Sequence, residues 1–321
     1  MTRPHSPMLA LAGLVTILTI ATACGGSTGP LGPVPVPSAT AAPSVAQGSP
    51  DATPGATESP SGSPIDEPSS TPTGSAEPSP SSSGSTGTTI VRAYFWLDGA
   101  PGSAGPVAVL REIPATKAVA TAAVNALLAG PSDSEGKRSI TSQIPDGTQL
   151  LGLTVENGLA TIDLSSEFIA GGAGEAYQTR QAQIVYTLTQ FPSIKAVGIL
   201  IEGSGDSIAL DRGDYADLLP DIWVDRPAWG AAIGNPAHVT GNADVFEAAF
   251  RISILDGSGA TIADQQAMAT CGTGCRGTFD VTVAYTVTKA QYGTLRVYNP
   301  SAQDGSPESI RDYRVWLTPK A

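Results

Sequence analysis

Apolar residues follow three regimes along this chain. Met8 to Ala21 is a nearly continuous apolar run, MLALAGLVTILTIA. From 25 to 88 large apolar side chains almost vanish, and they return at Thr89 with TTIVRAYFWLDG. From there the pattern is periodic. Ile90 to Leu97 and Val107 to Ile113 read as strands. Val119, Ala123, Val124, Leu127 and Leu128 fall on one face at helical spacing and predict a helix from Thr116 to Leu128, capped by Thr116 and stopped by Gly130-Pro131. Leu150 to Val155 and Leu159 to Leu164 flank Glu156-Asn157-Gly158. Asn-Gly between apolar runs predicts a hairpin, because a type I′ turn needs φ > 0 at both central residues. A second helix is predicted from Glu175 to Phe191, with Tyr177, Ile184, Val185 and Leu188 inward, and a strand from Lys195 to Ile201. This mixture predicts helices on one face of a small sheet.

Beyond Ile222 helical periodicity disappears. Strands are predicted at 237–241, 246–255, 261–269, 277–284, 293–298 and 313–317, separated by turns such as Asp256-Gly257 and Asp304-Gly305. Regularly spaced short strands with polar turns predict a β-sandwich. The fold class is therefore α+β: a small mixed domain over 89–215, then an all-β domain over 221–321.

Composition changes the reading of the first 88 residues. The apolar run is shorter than the ~20 residues of a membrane-spanning helix, and it ends in the small residues Ala21-Thr22-Ala23 before Cys24. Ile-Ala-Thr-Ala-Cys resembles the lipobox of bacterial lipoproteins. The resemblance implies a signal peptide over 1–23 and a diacylglycerol on Cys24. Residues 24–88 are almost wholly Gly, Pro, Ser, Thr and Ala. Such a segment cannot bury enough apolar area to offset its ordering entropy, and it reads as a disordered stalk. As a random coil it would span ~45 Å.

The first periodic region also resembles a known family. ALLAGPSDSEGKRSITSQIPDGTQLLGLTVENGLATIDLSSEF and RQAQIVYTLTQFPSIKAVGILIEG are similar to the GerMN domain of sporulation and spore-germination proteins. The distinctive pieces are Leu128 to Pro131, Ile144-Pro145 with Gly147-Thr148, Asp163-Leu164-Ser165 and the helix of Gln183 to Leu188. The second region resembles the immunoglobulin-like domain of bacterial spore germination, in Ile222-Trp223-Val224, Asn235-Pro236, Gly241 to Ala248, Gly277-Thr278-Phe279 and LRVYNPSAQD. These resemblances imply a non-enzymatic module, related to domains that build rings between membranes.

Charge and candidate chemistry narrow the function further. With 17 Lys+Arg against 29 Asp+Glu the net charge is −12, so no basic surface for nucleic acid is expected. The lipid must carry membrane attachment. Beyond the signal the only histidine is His238, in a strand pattern without a nucleophile motif, and it reads as an ordinary strand residue. Asp211, Asp214, Asp217 and Asp221, with Asp206 nearby, read as a solvated connection rather than a metal site, and Asp163 and Glu167 as caps rather than a carboxylate pair. Gly171-Gly172-Ala173-Gly174 lacks the Gly-Lys-Ser/Thr ending of a phosphate loop and reads as a helix entry.

Among Trp96, Trp223, Trp229 and Trp316, the pair Trp223 and Trp229 brackets a domain start, and these two are read as candidates for glycan or partner contact. Cys271 and Cys275, separated by Gly-Thr-Gly outside the cytoplasm, predict a local disulfide contributing on the order of 2 kcal/mol. No catalytic, cofactor or metal residue is expected. The expected protein is a lipid-anchored module on the extracytoplasmic face of the bacterial membrane, binding an envelope protein or cell-wall glycan. The rival expectation is a hydrolase acting on wall glycan or peptide.

Overall fold

Thr88–Leu97 (β1) and Gly105–Pro114 (β2) form an antiparallel pair along their whole length, Thr88 opposite Pro114 and Leu97 opposite Gly105. This computed structural model describes residues 87–205 and 208–320. The export signal, Cys24, the stalk as far as residue 86, and Asp206 lie outside the described residues. The first helix, α1 (Val119–Leu128), starts later than its periodicity suggests. Thr116 accepts a hydrogen bond from the Ala118 amide (3.1 Å), which turns the chain before the helix instead of capping it. Gly130, at φ +77°, ends it in the left-handed conformation that glycine adopts freely. A short turn of helix follows, α2 (Asp133–Gly136), and then β3 (Ile140–Thr141), which pairs with the end of β1.

The hairpin forms as its Asn-Gly demands. β4 (Leu150–Glu156) and β5 (Leu159–Leu164) are antiparallel, with Asn157 at φ +51° and Gly158 at φ +87°. Helix α3 (Glu175–Leu188) then crosses over, and β6 (Ala196–Ile201) lies parallel to β5. α3 ends one turn earlier than expected, and the chain leaves it through Thr189 to Phe191.

The single sheet expected here is in fact two three-stranded sheets, β2-β1-β3 and β4-β5-β6. The reason lies in three polar side chains at and just after α3. Along β1, before the end that β3 covers, the edge facing away from β2 meets side chains instead of a strand. Thr187 accepts from the Tyr94 amide (3.0 Å), Gln183 donates to the Tyr94 carbonyl (3.1 Å), and Gln190 accepts from the Arg92 amide (2.9 Å) and donates to the Arg92 carbonyl (2.6 Å). These groups satisfy the buried main-chain polarity that a strand would otherwise take up. Gln183 and Thr187 are fully buried in consequence.

After a 3-10 turn at Gly213–Leu218 the regular elements are strands, β7 (Ile222–Arg226), β8 (Ala232–Ile233), β9 (Ala237–Ala243), β10 (Ala249–Leu255), β11 (Thr261–Met268), β12 (Gly277–Val283), β13 (Gln291–Pro300) and β14 (Pro307–Leu317), apart from one 3-10 turn at Phe246–Ala248 that delays the strand expected from 246. They make a sandwich of a five-stranded sheet, β11-β10-β13-β14-β8, and a three-stranded one, β12-β9-β7. Inward side chains alternate along β13 and β14, and Phe250 meets Phe279 between the sheets at 4.8 Å between centroids. Gly241 is where β9 passes so close to β7 that a Cβ would run into the Trp223 carbonyl. The apolar core is continuous from the first half into the second, and the described residues fall in one compact unit.

Candidate functional site

The richest cluster of charged and aromatic groups lies where the two halves meet. β7 leaves the connecting segment with Trp223 and Asp225 on one side, directed at β1 and α3. Asp225 accepts from Arg92 (3.1 Å) and from the Tyr94 hydroxyl (2.7 Å), and Arg212 lies 3.7 Å from the same oxygen. Arg212 also donates to the Thr189 hydroxyl and the Tyr186 carbonyl, and its guanidinium stacks 4.8 Å from the Tyr186 ring centroid. Tyr186 in turn meets Trp223 edge-on at 5.4 Å.

The electrostatics follow from this packing. Burial pushes the Asp225 carboxyl up, but Arg92, the Tyr94 hydrogen bond and Arg212 together hold it below the ordinary carboxylate value. Burial and the neighbouring Asp225 charge raise the Tyr94 hydroxyl well above its usual range, and burial pushes Tyr186 up to about 12.

A second set of contacts completes the seam. Arg311, on β14, is only 2% exposed and has no carboxylate on it among the described residues. It donates to the carbonyls of Ser103, Gly105 (3.1 Å) and Pro106 (2.8 Å) and to the Tyr313 hydroxyl (2.7 Å). The turn between β1 and β2 is thus held from the second domain. Trp223 donates its indole N–H to the Pro106 carbonyl (2.8 Å), and the Tyr313 hydroxyl accepts from the Val224 amide (3.1 Å). Asp221 accepts from Ser309, and its amide donates to Gly102. The Trp229 amide donates to the Ala108 carbonyl (2.8 Å).

These contacts correct the reading of the two tryptophans. Trp223 and Trp229 are 4% and 7% exposed, so neither presents an open ring face to a glycan or partner. They bracket the domain start because they close the junction there. Of the other two, Trp316 packs edge-on against Tyr292 at 4.7 Å.

The remaining candidates are spent locally. Asp163 accepts from the Gly203 amide (2.9 Å). Glu167 is exposed, and a hydrogen bond from Ser165 lowers its carboxyl. Asp211 accepts from the Gly213 amide and Asp214 from the Asp211 amide, as turn formers do. His238 pairs with Asp280 on the exposed face of β9 and β12 (2.5 Å). Gly171, Gly172 and Gly174 all have positive φ at the entry to α3. The structure joins Cys271 to Cys275 with Cα atoms 5.8 Å apart, within the span of a disulfide.

The sequence reading missed Arg92, Tyr94, Arg212, Asp225 and Arg311. Most of these contacts join residues more than a hundred positions apart, and pattern carries no such pairing. Arg311 alone left a signal: it falls on the inward phase of Arg311, Tyr313, Val315 and Leu317, where an arginine needs buried partners.

Two openings flank the seam. One, of about 450 Å³, is lined by Arg212, Trp223, Asp225, Thr240, Phe279 and Asp280. The other, of about 400 Å³, is lined by Arg138, Trp229, Asp256, Tyr292, Asp312 and Arg314.

Comparison with known proteins sets this architecture in context. Residues 93–206 match the Germane family model, described as sporulation and spore germination. Residues 221–306 match the Gmad2 model, described as the immunoglobulin-like domain of bacterial spore germination. No curated protein matches the chain. Among solved structures, the tandem GerMN domains of the sporulation protein GerM from Bacillus subtilis match at 22% identity, covering 42% of this chain and 49% of that one, with a TM-score of 0.34. The first GerMN domain of the same protein matches at 24% identity, covering 39% of this chain and 99% of that one, with a TM-score of 0.32. The chain therefore spans about half the length of the tandem structure.

Proposed function

We propose that this chain, in which a sporulation and spore germination domain is followed by an immunoglobulin-like domain of bacterial spore germination, is a non-catalytic binding or assembly module of the bacterial cell envelope. The ordered pair of domains carries the reading. The seam supports it, since a body whose two domains share one core offers a fixed surface to a partner. In this reading Cys24 bears the lipid that holds the chain at the extracytoplasmic membrane face. The stalk over 24–88 gives it reach, and the partner is an envelope protein or cell-wall glycan. Among the described residues no helix is long and apolar enough to cross a membrane. Of the two acids weighed as a hydrolase pair, Asp163 accepts from the Gly203 amide and Glu167 is hydrogen-bonded by Ser165.

The test pairs crosslinking in living cells with a wall-fragment hydrolysis assay on the purified chain. Specific crosslinks that are lost with Cys24→Ser, without turnover of wall fragments, are the expected result. Hydrolysis that disappears with Asp163→Asn would replace this reading with the enzymatic one.

A further inference from the structure

The opening beside Trp229 differs from the rest of the surface in how its charges are spent. Its acids are engaged within the protein, Asp312 by a cation and Asp256 by neutral donors of its own turn. Asp312 accepts from Arg296 through both oxygens (2.7 and 2.8 Å), and Asp256 accepts from the Ser258 amide and hydroxyl and from the Ala260 amide. Glu135, in the recess that continues from it, takes Arg111 through both oxygens (2.8 and 2.7 Å). Its arginines are not matched. Among the described residues, Arg138, Arg226 and Arg314 are the arginines whose side chains have neither a hydrogen bond nor an ion pair, and Arg138 and Arg314 both line this opening. In a chain of net charge −12, two unspent guanidinium groups from different domains converge on one groove.

The groove also has an aromatic wall. Arg314 stacks over the Tyr292 ring at 3.5 Å from its centroid, and Tyr292 is held from behind by Trp316. The ring is nevertheless 45% exposed. Stacking fixes the guanidinium plane and leaves its N–H edges free to donate. The space is about 400 Å³, and a further recess of about 200 Å³ is bounded by the same Arg138, Trp229, Tyr292 and Arg314. A lone carboxylate would leave most of it unfilled, whereas a few residues of extended peptide would fit it.

We propose that this groove binds an acidic peptide segment of the partner, with carboxylates received by Arg138 and Arg314 and an apolar stretch laid on Tyr292. The proposal rests on the binding-module reading and supplies its ligand chemistry. Because Arg138 comes from the first domain and Arg314 from the second, the site exists only while the domains are joined.

The experiment uses the full-length chain in detergent micelles and two fluorescent heptapeptides, one alternating Glu and Ala and the other alternating Gln and Ala. Binding of the Glu peptide about tenfold tighter than the Gln peptide is expected, as is a loss of roughly fivefold to tenfold in Arg138→Gln and in Arg314→Gln, the scale of a charge-assisted hydrogen bond. Arg226→Gln, which removes the same charge outside the groove, should leave affinity unchanged, and all three variants should keep the parent melting temperature. Equal binding of the two peptides, or an equal loss in Arg226→Gln, would overturn the site. So would preferential binding of an oligogalacturonate, which would assign the groove to an acidic glycan. Cellular crosslinks that persist when the peptide signal is absent would sink this groove alone. A retained peptide signal without cellular crosslinks would sink the module reading instead.

Discussion

Asp225 shows what a single residue does at this seam. Its carboxylate gathers Arg92 and Tyr94 from β1 and Arg212 from the segment after β6. Because the folded carboxyl lies below its ordinary value of 3.8, its contribution to stability is complete above that pH and is lost as pH falls through the lower folded value. Burial is the largest single effect on Glu135 and raises its carboxyl, but Arg111 and Ser132 together outweigh it and hold the carboxyl below its ordinary value, so it adds to the same acid limb. Tyr186 acts at the other end. Its folded value of about 12 exceeds the ordinary 10.0, so its contribution fades as pH rises from 10 toward 12. Asp225→Asn should cost about 1–3 kcal/mol at neutral pH, since it keeps an acceptor oxygen but removes the negative charge that two guanidinium groups share. The variant should also melt with a shallower dependence on pH below 4 than the parent. Parallel acid limbs for the two proteins, followed by circular dichroism, would show that the carboxylate does not carry this linkage.

At the scale of elements, α3 does the work of a missing strand. The sequence shows its helical period and its apolar face of Ile184, Val185 and Leu188, and it shows the Asn-Gly hairpin beside it. It does not show that Gln183, Thr187 and Gln190 are partners for the main chain of β1, because a polar residue on a helix is ordinarily a solvated one. That is why one sheet was expected where two exist. The strands of the second domain were legible because alternation survives wherever one face is buried, as in Tyr313, Val315 and Leu317. β8, with only Ala232 and Ile233, is too short to carry a pattern. The tryptophans were misplaced because a domain start looks exposed until the neighbouring domain is known. Thr187→Val keeps the shape of the side chain and removes the oxygen that takes the Tyr94 amide, leaving a buried N–H unpaired. A loss of about 1–3 kcal/mol in urea unfolding is expected, with faster hydrogen exchange at Tyr94 than at Val109 across the sheet. Unchanged exchange at Tyr94 would mean that another acceptor takes the amide.

Across the whole molecule the question is whether two domains behave as one. Interfaces between domains in a chain are usually polar and permit relative motion unless they are large and apolar. Here the core runs through the junction, and Arg311 crosses it to close three carbonyls around the turn between β1 and β2. A guanidinium suits the task, since its fixed fork of donors serves several acceptors at once. The arrangement also makes the seam vulnerable. Arg311→Ala leaves the carbonyls of Ser103 and Gly105 without its donors, while Pro106 keeps the Trp223 indole N–H, at a cost of about 1–3 kcal/mol for each group that water cannot reach. The substitution removes no main-chain group from the strand pairing of either domain, so the loss falls on their coupling. The parent should unfold in one calorimetric transition, with calorimetric and van't Hoff enthalpies equal. Arg311→Ala should split it into two, the first domain melting at the lower temperature because it loses the support of its β1–β2 turn. Arg311→Lys, which keeps the charge but offers a more compact set of donors, should fall between the two. A single transition in Arg311→Ala, merely shifted downward, would show that the apolar part of the junction is sufficient to couple the domains without the arginine.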